Sequence, residues 1–166
     1  LCRQERVGMA IADGFSRTTN GKRIGIFAMQ QGPGAENAFP GAAQAFSDCV
    51  PILLLPAGVP TNRSFITPEF FATDNYSNIT KWQASVNYVE RIPDLMRKAY
   101  YQLKTGKGGP VLLELPIDVL GADFEGNIEY QVVSGNKFSP DKSEINQAVE
   151  VLLNSKKPVI YAGQGC

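Results

Sequence analysis

The sequence predicts an α/β fold, in which helices cover both faces of a parallel β-sheet. Two observations lead to this prediction: short strand-like runs are apolar at nearly every position, and stretches with helical spacing of apolar residues alternate with them. Strands that are apolar on both faces are typical of parallel sheets buried between two helix layers. With 166 residues, 43% of them hydrophobic, the chain can bury one core of ordinary size.

The predicted elements alternate along the first 115 residues. They are a helix at 4–17, a strand at 24–29, a helix at 34–49, a strand at 50–55, a loop at 57–79, a helix at 92–105 and a strand at 111–115. The first helix carries Val7, Ala10, Ile11 and Phe15 on one face, and Asn20-Gly21 is a helix-ending signal. In the same way, Gly106 is expected to end the helix at 92–105.

Three features of this order need comment. Pro40 must lie in the first turns of the helix at 34–49 or kink it. The loop at 57–79 has no clear periodicity, and loops of this length often carry function. Trp82 follows that loop, and we interpret it as loop packing rather than as a platform on which a ligand stacks.

After the third strand the sequence becomes polar and contains glycine, which indicates a surface linker. We therefore predict a first domain at 1–120, a linker at 121–138 and the start of a second, truncated α/β domain at 139–166. The last part contains an N-cap at Ser139 with Pro140 at N1, a helix at 141–153, a strand at 158–161 and the turn Gly163-Gln164-Gly165. As a dinucleotide motif this turn is incomplete, so a plain turn is favoured.

Composition excludes several classes of function. Sixteen basic residues balance sixteen acidic ones without long runs of either sign, so neither nucleic acid nor an anionic membrane is an expected partner. The longest apolar run, at 50–59, has about ten residues and contains two prolines, whereas about 20 are needed to span a bilayer. The chain starts at Leu1 without an initiating Met or a signal-like stretch, so we expect its natural N-terminus to be missing.

Cysteine and histidine usage narrows the chemistry. Cys2, Cys49 and Cys166 are far apart and odd in number, which indicates reduced thiols in a cytoplasmic protein rather than a disulfide frame or a metal site. The chain has no histidine. Nucleophilic schemes that need Ser/His/Asp or Cys/His, and the common zinc sites, are therefore excluded.

Glu5 is the candidate catalytic residue. On a helical wheel it lies away from the charged stripe of its helix and in line with small or apolar residues, namely Gly8, Met9, Ala12 and Ser16. Two apolar faces on one helix predict burial on both sides, one against its own sheet and one against a partner domain or subunit. Desolvation there would raise the pKa of Glu5, and a protonated acid could donate a hydrogen bond to a heterocyclic nitrogen. The alternative is that Glu5 is exposed and inert at a frayed helix start.

The stretch Gln31-Gly32-Pro33-Gly34 joins a predicted strand to a predicted helix. Such a turn can hold a phosphate on free backbone N–H groups. Pro33 removes one donor, and neither the Walker pattern nor the complete dinucleotide fingerprint is present. From spacing alone, a phosphate cradle, a nucleotide site of the Rossmann type and a plain turn all stay open.

Taken together and in order, several stretches closely resemble the N-terminal pyrimidine-binding domain of thiamine-diphosphate enzymes of the acetolactate synthase type. They are Arg3-Gln4-Glu5, residues 9–17 (MAIADGFSR), residues 32–37 (GPGAEN), residues 48–53 (DCVPIL) and residues 109–119 (GPVLLELPIDV). Residues 157–165 (KPVIYAGQG) resemble the opening of that family's central domain. The resemblance covers nearly the whole chain.

The resemblance implies roles for these residues. Glu5 matches the family's activating glutamate, which hydrogen-bonds the aminopyrimidine of the cofactor and favours its imino tautomer. Gln31, Gly32, Pro33, Gly34 and Asn37 match the turn that lines the aminopyrimidine. The implied substrate is a small 2-oxo acid such as pyruvate. The implied assembly is a homodimer or homotetramer, because in this family the diphosphate and magnesium are bound by the C-terminal domain of another subunit, a domain that this chain lacks. Whether the full-length protein also binds FAD is left open, and the fragment alone is expected to be inactive.

The chain also departs from the family's usual pattern. Gln4 stands where His is common, Gln30-Gln31 where Thr-Ser is common, and Phe70-Phe71-Ala72 where the family has Phe-Gln-Glu; Lys81 matches a family lysine. A second hypothesis therefore stays open, namely a non-catalytic homologue that serves as an interaction or regulatory module. The presence of Glu5 is the feature that separates the two.

Overall fold

The computed structural model of the chain describes residues 1–163. Residues 1–135 form one compact unit, and a second unit begins at Asn136. The first unit contains four parallel strands, which confirms the predicted α/β class. The strands are β1 (Gly25–Met29), β2 (Ile52–Gly58), β3 (Trp82–Ser85) and β4 (Val111–Pro116), in the spatial order β1-β2-β4-β3. The helices are α1 (Glu5–Thr18), α2 (Pro33–Ser47), α3 (Ala72–Asn75), α4 (Ile92–Lys104), α5 (Ile117–Leu120) and, in the second unit, α6 (Lys142–Leu153).

Both faces of the sheet are covered, as the apolar strands predict. Alternate residues of β2 point to opposite faces: Ile52 and Leu54 join the core under α1 and α2, whereas Leu53 packs with Ala99 and Leu103 of α4. All five side chains are at most 4% exposed. Burial on both faces explains why these strands carry no polar alternation.

Helix α1 approaches the sheet very closely. A Cβ on Gly25 of β1 would lie 2.0 Å from the carbonyl oxygen of Ala12, and a Cβ on Gly8 would lie 2.2 Å from the Phe27 ring. The hydroxyl of Ser16 donates to the Pro51 carbonyl and accepts from the Gly25 N–H, both at 2.7 Å. The two glycines therefore decide which face of α1 meets the sheet.

The opposite face of α1 is uncovered in this chain. Val7, Ile11 and Phe15 are 51%, 61% and 46% exposed. Residues of this chain thus bury only one of the two faces for which burial is predicted.

Helix α1 ends as predicted, with Asn20 and Gly21 in the left-handed region at φ 49° and φ 69°.

The interpretation of Trp82 as loop packing is wrong. Trp82 begins β3, an edge strand of four residues that pairs in parallel with β4. Its side chain packs against both clusters under α4, and the Lys98 ammonium lies 5.6 Å from its ring. A four-residue edge strand whose side chains are all half-buried gives too short a pattern to be recognised.

Two other predicted details change. Pro40 lies in the interior of α2, at its eighth residue, rather than in its first turns. The loop predicted at 57–79 begins two residues later, because β2 extends to Gly58, and it contains two short helical pieces, a 3₁₀ turn at Thr61–Arg63 and α3.

The second unit contains α6, but its N-cap is Asp141 rather than Ser139. The Asp141 carboxylate accepts a hydrogen bond from the Ser143 N–H at 2.7 Å. Asp141, two residues after Ser139, therefore pairs with one of the free N–H groups in the first turn of α6. Residues 158–161 are not a strand, since nothing in the described residues pairs with them. Of the predicted turn Gly163-Gln164-Gly165, the last two residues lie outside the described part of the chain.

In the first unit, the segment after α5 has no regular secondary structure and lies along α4. Arg97 donates to the Glu129 carbonyl at 3.2 Å, and Lys104 donates to the Val133 carbonyl at 3.0 Å. The boundaries of the predicted linker at 121–138 stay a prediction. Among the described residues, no helix combines the length and apolarity that crossing a membrane requires.

Candidate functional site

The structure brings Glu5 to the start of α2. Glu5 is the first residue of α1, and its Oε2 accepts a hydrogen bond from the Asn37 side-chain amide at 3.4 Å. Its Oε1 lies 3.6 Å from the position that a Cβ on Gly34 would take. The carboxylate is therefore at the N-terminal ends of two helices, where a negative charge is favoured.

The glycine turn is shaped by backbone geometry. Gly32 is buried and has φ 59°, ψ −108°, a conformation that only glycine adopts readily. A Cβ on Gly34 would lie 2.9 Å from the Gln30 side chain. Side chains are thus excluded from the part of the turn that faces Glu5, which leaves a flat backbone surface.

The predicted site residues fall into two groups. Gly34 and Asn37 both lie next to Glu5, whereas Gln31 and Gly32 lie on the strand side of the turn and Pro33 is exposed at N1 of α2. Within the described residues, the hydrogen bond of the Glu5 carboxylate goes to Asn37 and not to Gln31. Glu5 is half-buried rather than enclosed, so this chain alone does not supply the full desolvation that the wheel predicts.

The turn is unsuited to a phosphate. Pro33 has no N–H, the Ala35 N–H already donates to the Gln30 carbonyl at 3.1 Å, and the Glu36 N–H donates to the Gly32 carbonyl at 2.9 Å. The Glu5 carboxylate beside the turn adds a negative charge that would repel a phosphate. Of the open alternatives, the phosphate cradle is therefore disfavoured.

Lys81 lies far from this turn along the strand direction. It precedes β3 and so lies at the amino edge of the sheet, whereas the glycine turn follows β1 at the carboxyl edge. Its ammonium donates to the carbonyls of Gln102, at 2.5 Å, and of Thr105 at the end of α4. Burial lowers the pKa of Lys81, and the carbonyls satisfy its donors.

The sequence pattern did not identify Glu114 as a site residue, although its carboxyl group is deeply buried. Glu114 is 5% exposed in β4; its Oε1 accepts from the Ala72 N–H at 2.9 Å and its Oε2 from the Thr73 hydroxyl at 3.3 Å. Burial raises the pKa of Glu114, the two hydrogen bonds oppose this, and the nearby Asp74 adds to it. The sequence pattern that could have indicated Glu114 is a single acidic residue within the otherwise apolar strand Val111–Pro116.

This pKa predicts a pH dependence of stability. A carboxyl group whose pKa is raised on folding stabilises the folded state fully below its unfolded pKa, about 4.5, and loses this contribution as the pH rises through the folded value. Each pKa unit of displacement corresponds to about 1.4 kcal/mol. The free energy of unfolding of the natural protein, minus that of Glu114→Gln, is therefore expected to fall as the pH rises above about 4.5. Urea unfolding between pH 4 and pH 8 measures it, and a constant difference would contradict the expectation.

No metal site is found in the described residues, since no three His, Cys, Asp or Glu side chains lie close enough to hold an ion. Cys2 and Cys49 are free thiols, and Cys166 lies outside the described part of the chain. The candidate site is therefore an acid held over a bare glycine turn.

Comparison with known proteins indicates the class of enzyme to which the matched residues are similar. Residues 1–80, which contain Glu5, the glycine turn and Asn37, match the family described as "Thiamine pyrophosphate enzyme, N-terminal TPP binding domain". The N-terminal part of the chain therefore matches a domain of thiamine pyrophosphate enzymes.

Similar proteins within the family are acetolactate synthases. The chain is 32% identical to the acetolactate synthase large subunit of Haemophilus influenzae and 33% identical to the isozyme 3 large subunit of Escherichia coli, over 99% of its length in both cases. It is 32% identical to the chloroplastic acetolactate synthase of Arabidopsis thaliana over 100% of its length. The chain spans only 30%, 30% and 26% of these three relatives.

Proposed function

We propose that this chain is the pyrimidine-binding part of a thiamine-diphosphate-dependent enzyme that decarboxylates or joins 2-oxo acids, and that Glu5 is its activating acid. The observation that carries the proposal is the Glu5 carboxylate, which accepts a hydrogen bond from Asn37 and lies beside Gly34, where the turn has no side chain. In this role, Glu5 exchanges a proton with a ring nitrogen of the bound cofactor. Thiamine diphosphate supplies, when bound, the carbon nucleophile that attacks a 2-oxo acid.

The residues present fit an aminopyrimidine ring. A flat heterocycle needs a surface that it can approach closely, and Gly32 and Gly34 leave the turn bare on the side of Glu5. The ring nitrogens need polar partners, and Glu5 and Asn37 provide a carboxyl and an amide there. Magnesium and the diphosphate would be held by residues outside this chain, since the turn itself is unsuited to a phosphate.

The uncovered face of α1 supports a dimer or larger homo-oligomer. Val7, Ile11 and Phe15 form an apolar surface on the helix that begins with Glu5. Large apolar side chains grouped on one face are typical of protein interfaces. A second subunit on this face would remove the Val7, Ile11 and Phe15 side chains from water.

The proposed activity belongs to the full-length protein. We expect that protein, with thiamine diphosphate and magnesium, to release CO₂ from pyruvate or a related 2-oxo acid. Absence of turnover on every 2-oxo acid tried would contradict the proposal and favour a non-catalytic homologue.

The isolated chain is expected to show no turnover and weak cofactor binding at best, because it holds only the pyrimidine end of the site. Isothermal titration calorimetry with thiamine diphosphate and magnesium measures the binding. Tight binding, with a Kd near that of the full-length protein, would show that this chain contains the diphosphate site as well and would contradict the division proposed here.

A further inference from the structure

The carboxylates of Glu114 and Asp118 accept hydrogen bonds from the segment that follows β2. The Asp118 carboxylate of α5 accepts hydrogen bonds from the Thr61 N–H at 3.0 Å and from the Thr61 hydroxyl at 2.5 Å. The Glu114 carboxylate of β4 holds Ala72 and Thr73 in the same way. We call residues 61–73 the clamped segment, because both of its ends are fixed to carboxylates four positions apart.

The far end of the clamped segment is also linked to the glycine turn. Tyr76, which is fully buried just after α3, donates its hydroxyl hydrogen bond to the Ala35 carbonyl at 2.5 Å. Ala35 is in the first turn of α2, two residues before Asn37. The phenol ring packs edge-on against Phe39 with centroids 5.1 Å apart. Helix α3 is thus fixed between β4 and the helix that carries the candidate site.

A cavity of about 500 Å³ lies between the clamped segment and the carboxyl ends of β3 and β4. Its volume is in the range of small-molecule sites. Its lining includes Thr61, Phe65, Phe71, Ser85 and Glu114. The glycine turn follows β1 at the same edge of the sheet, and strands β1 and β4 are about 10 Å apart because one strand lies between them.

The clamped segment has a strained backbone at the cavity wall. Phe65 has φ 65°, is 89% exposed and lies with its ring centroid 6.2 Å from that of Phe71. A bulky residue in the left-handed region is strained and persists only where its surroundings fix it. The two carboxylate clamps are the contacts that fix this segment at its ends.

The charge of the wall limits what can enter the cavity. Asp74 and Glu114 contribute the acidic groups of the lining, which within the described residues contains no Lys or Arg. The carboxylate of a 2-oxo acid would not be attracted to such a wall. The hydroxyl and aromatic side chains of the lining are suited to the uncharged end of such a substrate.

We propose that Glu114 is a positioning residue that sets which 2-oxo acid side chain the full-length enzyme accepts, by holding the clamped segment as the wall of this cavity. This inference rests on the proposed function. Glu114 acts through Ala72 and Thr73 rather than by touching the reacting atoms.

The test compares the full-length natural enzyme with Glu114→Ala, Glu114→Gln and the exposed control Glu90→Ala. The measurement is kcat/KM for 2-oxo acids with methyl, ethyl and propyl side chains. We expect Glu114→Ala to change the ratio of kcat/KM for the propyl acid to kcat/KM for the methyl acid at least about 10-fold, mainly through KM. A change of this size is within the effect that one or two methylenes have in a binding pocket. Glu114→Gln is expected to restore the natural ratio, because an amide oxygen can accept from Ala72 while Thr73 accepts from the amide nitrogen.

A folded Glu114→Ala enzyme with the natural ratio would overturn the inference, as would a Glu114→Gln enzyme that behaves like Glu114→Ala. If Glu114→Ala does not fold, Thr73→Val removes one of the two hydrogen bonds, and an unchanged ratio in that variant would overturn it too. A natural enzyme that turns over none of the three acids would instead contradict the proposed function itself.

Discussion

Replacing Glu5 by Gln in the full-length protein is expected to lower kcat for 2-oxo acid turnover about 10²–10⁴-fold, the range that general acid–base groups contribute. A glutamine keeps the size of the side chain and one oxygen that can accept from Asn37. It cannot exchange a proton with the cofactor ring. The fold is expected to be unchanged, because Glu5 is half-buried and its hydrogen bond can be kept.

The matched control is Glu90→Gln, an exposed glutamate in the 3₁₀ turn Val89–Arg91, which should keep the natural rate. Steady-state kinetics with saturating cofactor separates a loss of kcat from weaker cofactor binding. A Glu5→Gln enzyme with the natural kcat would mean that Glu5 is only the start of a helix.

The second large effect concerns the contact between α1 and β1. Gly25→Ala is expected to destabilise the protein by at least about 3 kcal/mol, the upper part of the range for overpacking a tight core. The added methyl group would lie 2.0 Å from the Ala12 carbonyl oxygen, which belongs to a helix backbone and cannot turn away. Since α1 carries Glu5, its displacement should also lower activity.

Gly14→Ala, in helix α1, is the control. Nothing lies within 4 Å of a Cβ at Gly14, so alanine there should raise stability by up to about 1 kcal/mol through helix propensity. The midpoints of urea unfolding of the full-length protein test both variants. Equal midpoints for Gly25→Ala and the natural protein would show that α1 does not approach β1 this closely.

The parts of the fold that could be predicted are those with a strong local pattern. The apolar runs at β2 and β4 are buried on both faces, and this is what their lack of polar alternation indicates. The position of Glu5 in line with Gly8 and Met9 also followed from helical spacing, and the structure buries Gly8 and Met9 against the sheet while Glu5 is half-buried.

Other parts depend on contacts that no local pattern records. The wheel of α1 shows two apolar faces, and the close approaches of Gly8 to Phe27 and of Gly25 to Ala12 decide which one meets the sheet. Strand β3 is short and lies at an edge, so β4 rather than its own sequence makes it a strand. Residues 158–161 show the reverse case, because an apolar run does not become a strand without a neighbour to pair with.

The candidate site could be predicted only in part for the same reason. Spacing and the resemblance indicated Glu5 and the glycine turn, and the structure joins Glu5 to Gly34 and Asn37. The role of Glu114 depends on a hydrogen bond to Ala72, 42 positions away in the sequence. A single acid in an apolar strand signals such a partner without identifying it.

The central claim is that Glu5 activates thiamine diphosphate, and exchange of the cofactor's C2 proton for deuterium tests it most directly. The exchange rate is measured by quenched-flow NMR on the full-length natural enzyme and on Glu5→Gln, both saturated with cofactor and magnesium. We predict fast exchange in the natural enzyme and a rate close to that of free cofactor in Glu5→Gln, with the fold intact by circular dichroism. An unchanged exchange rate in a folded Glu5→Gln enzyme would contradict the assignment.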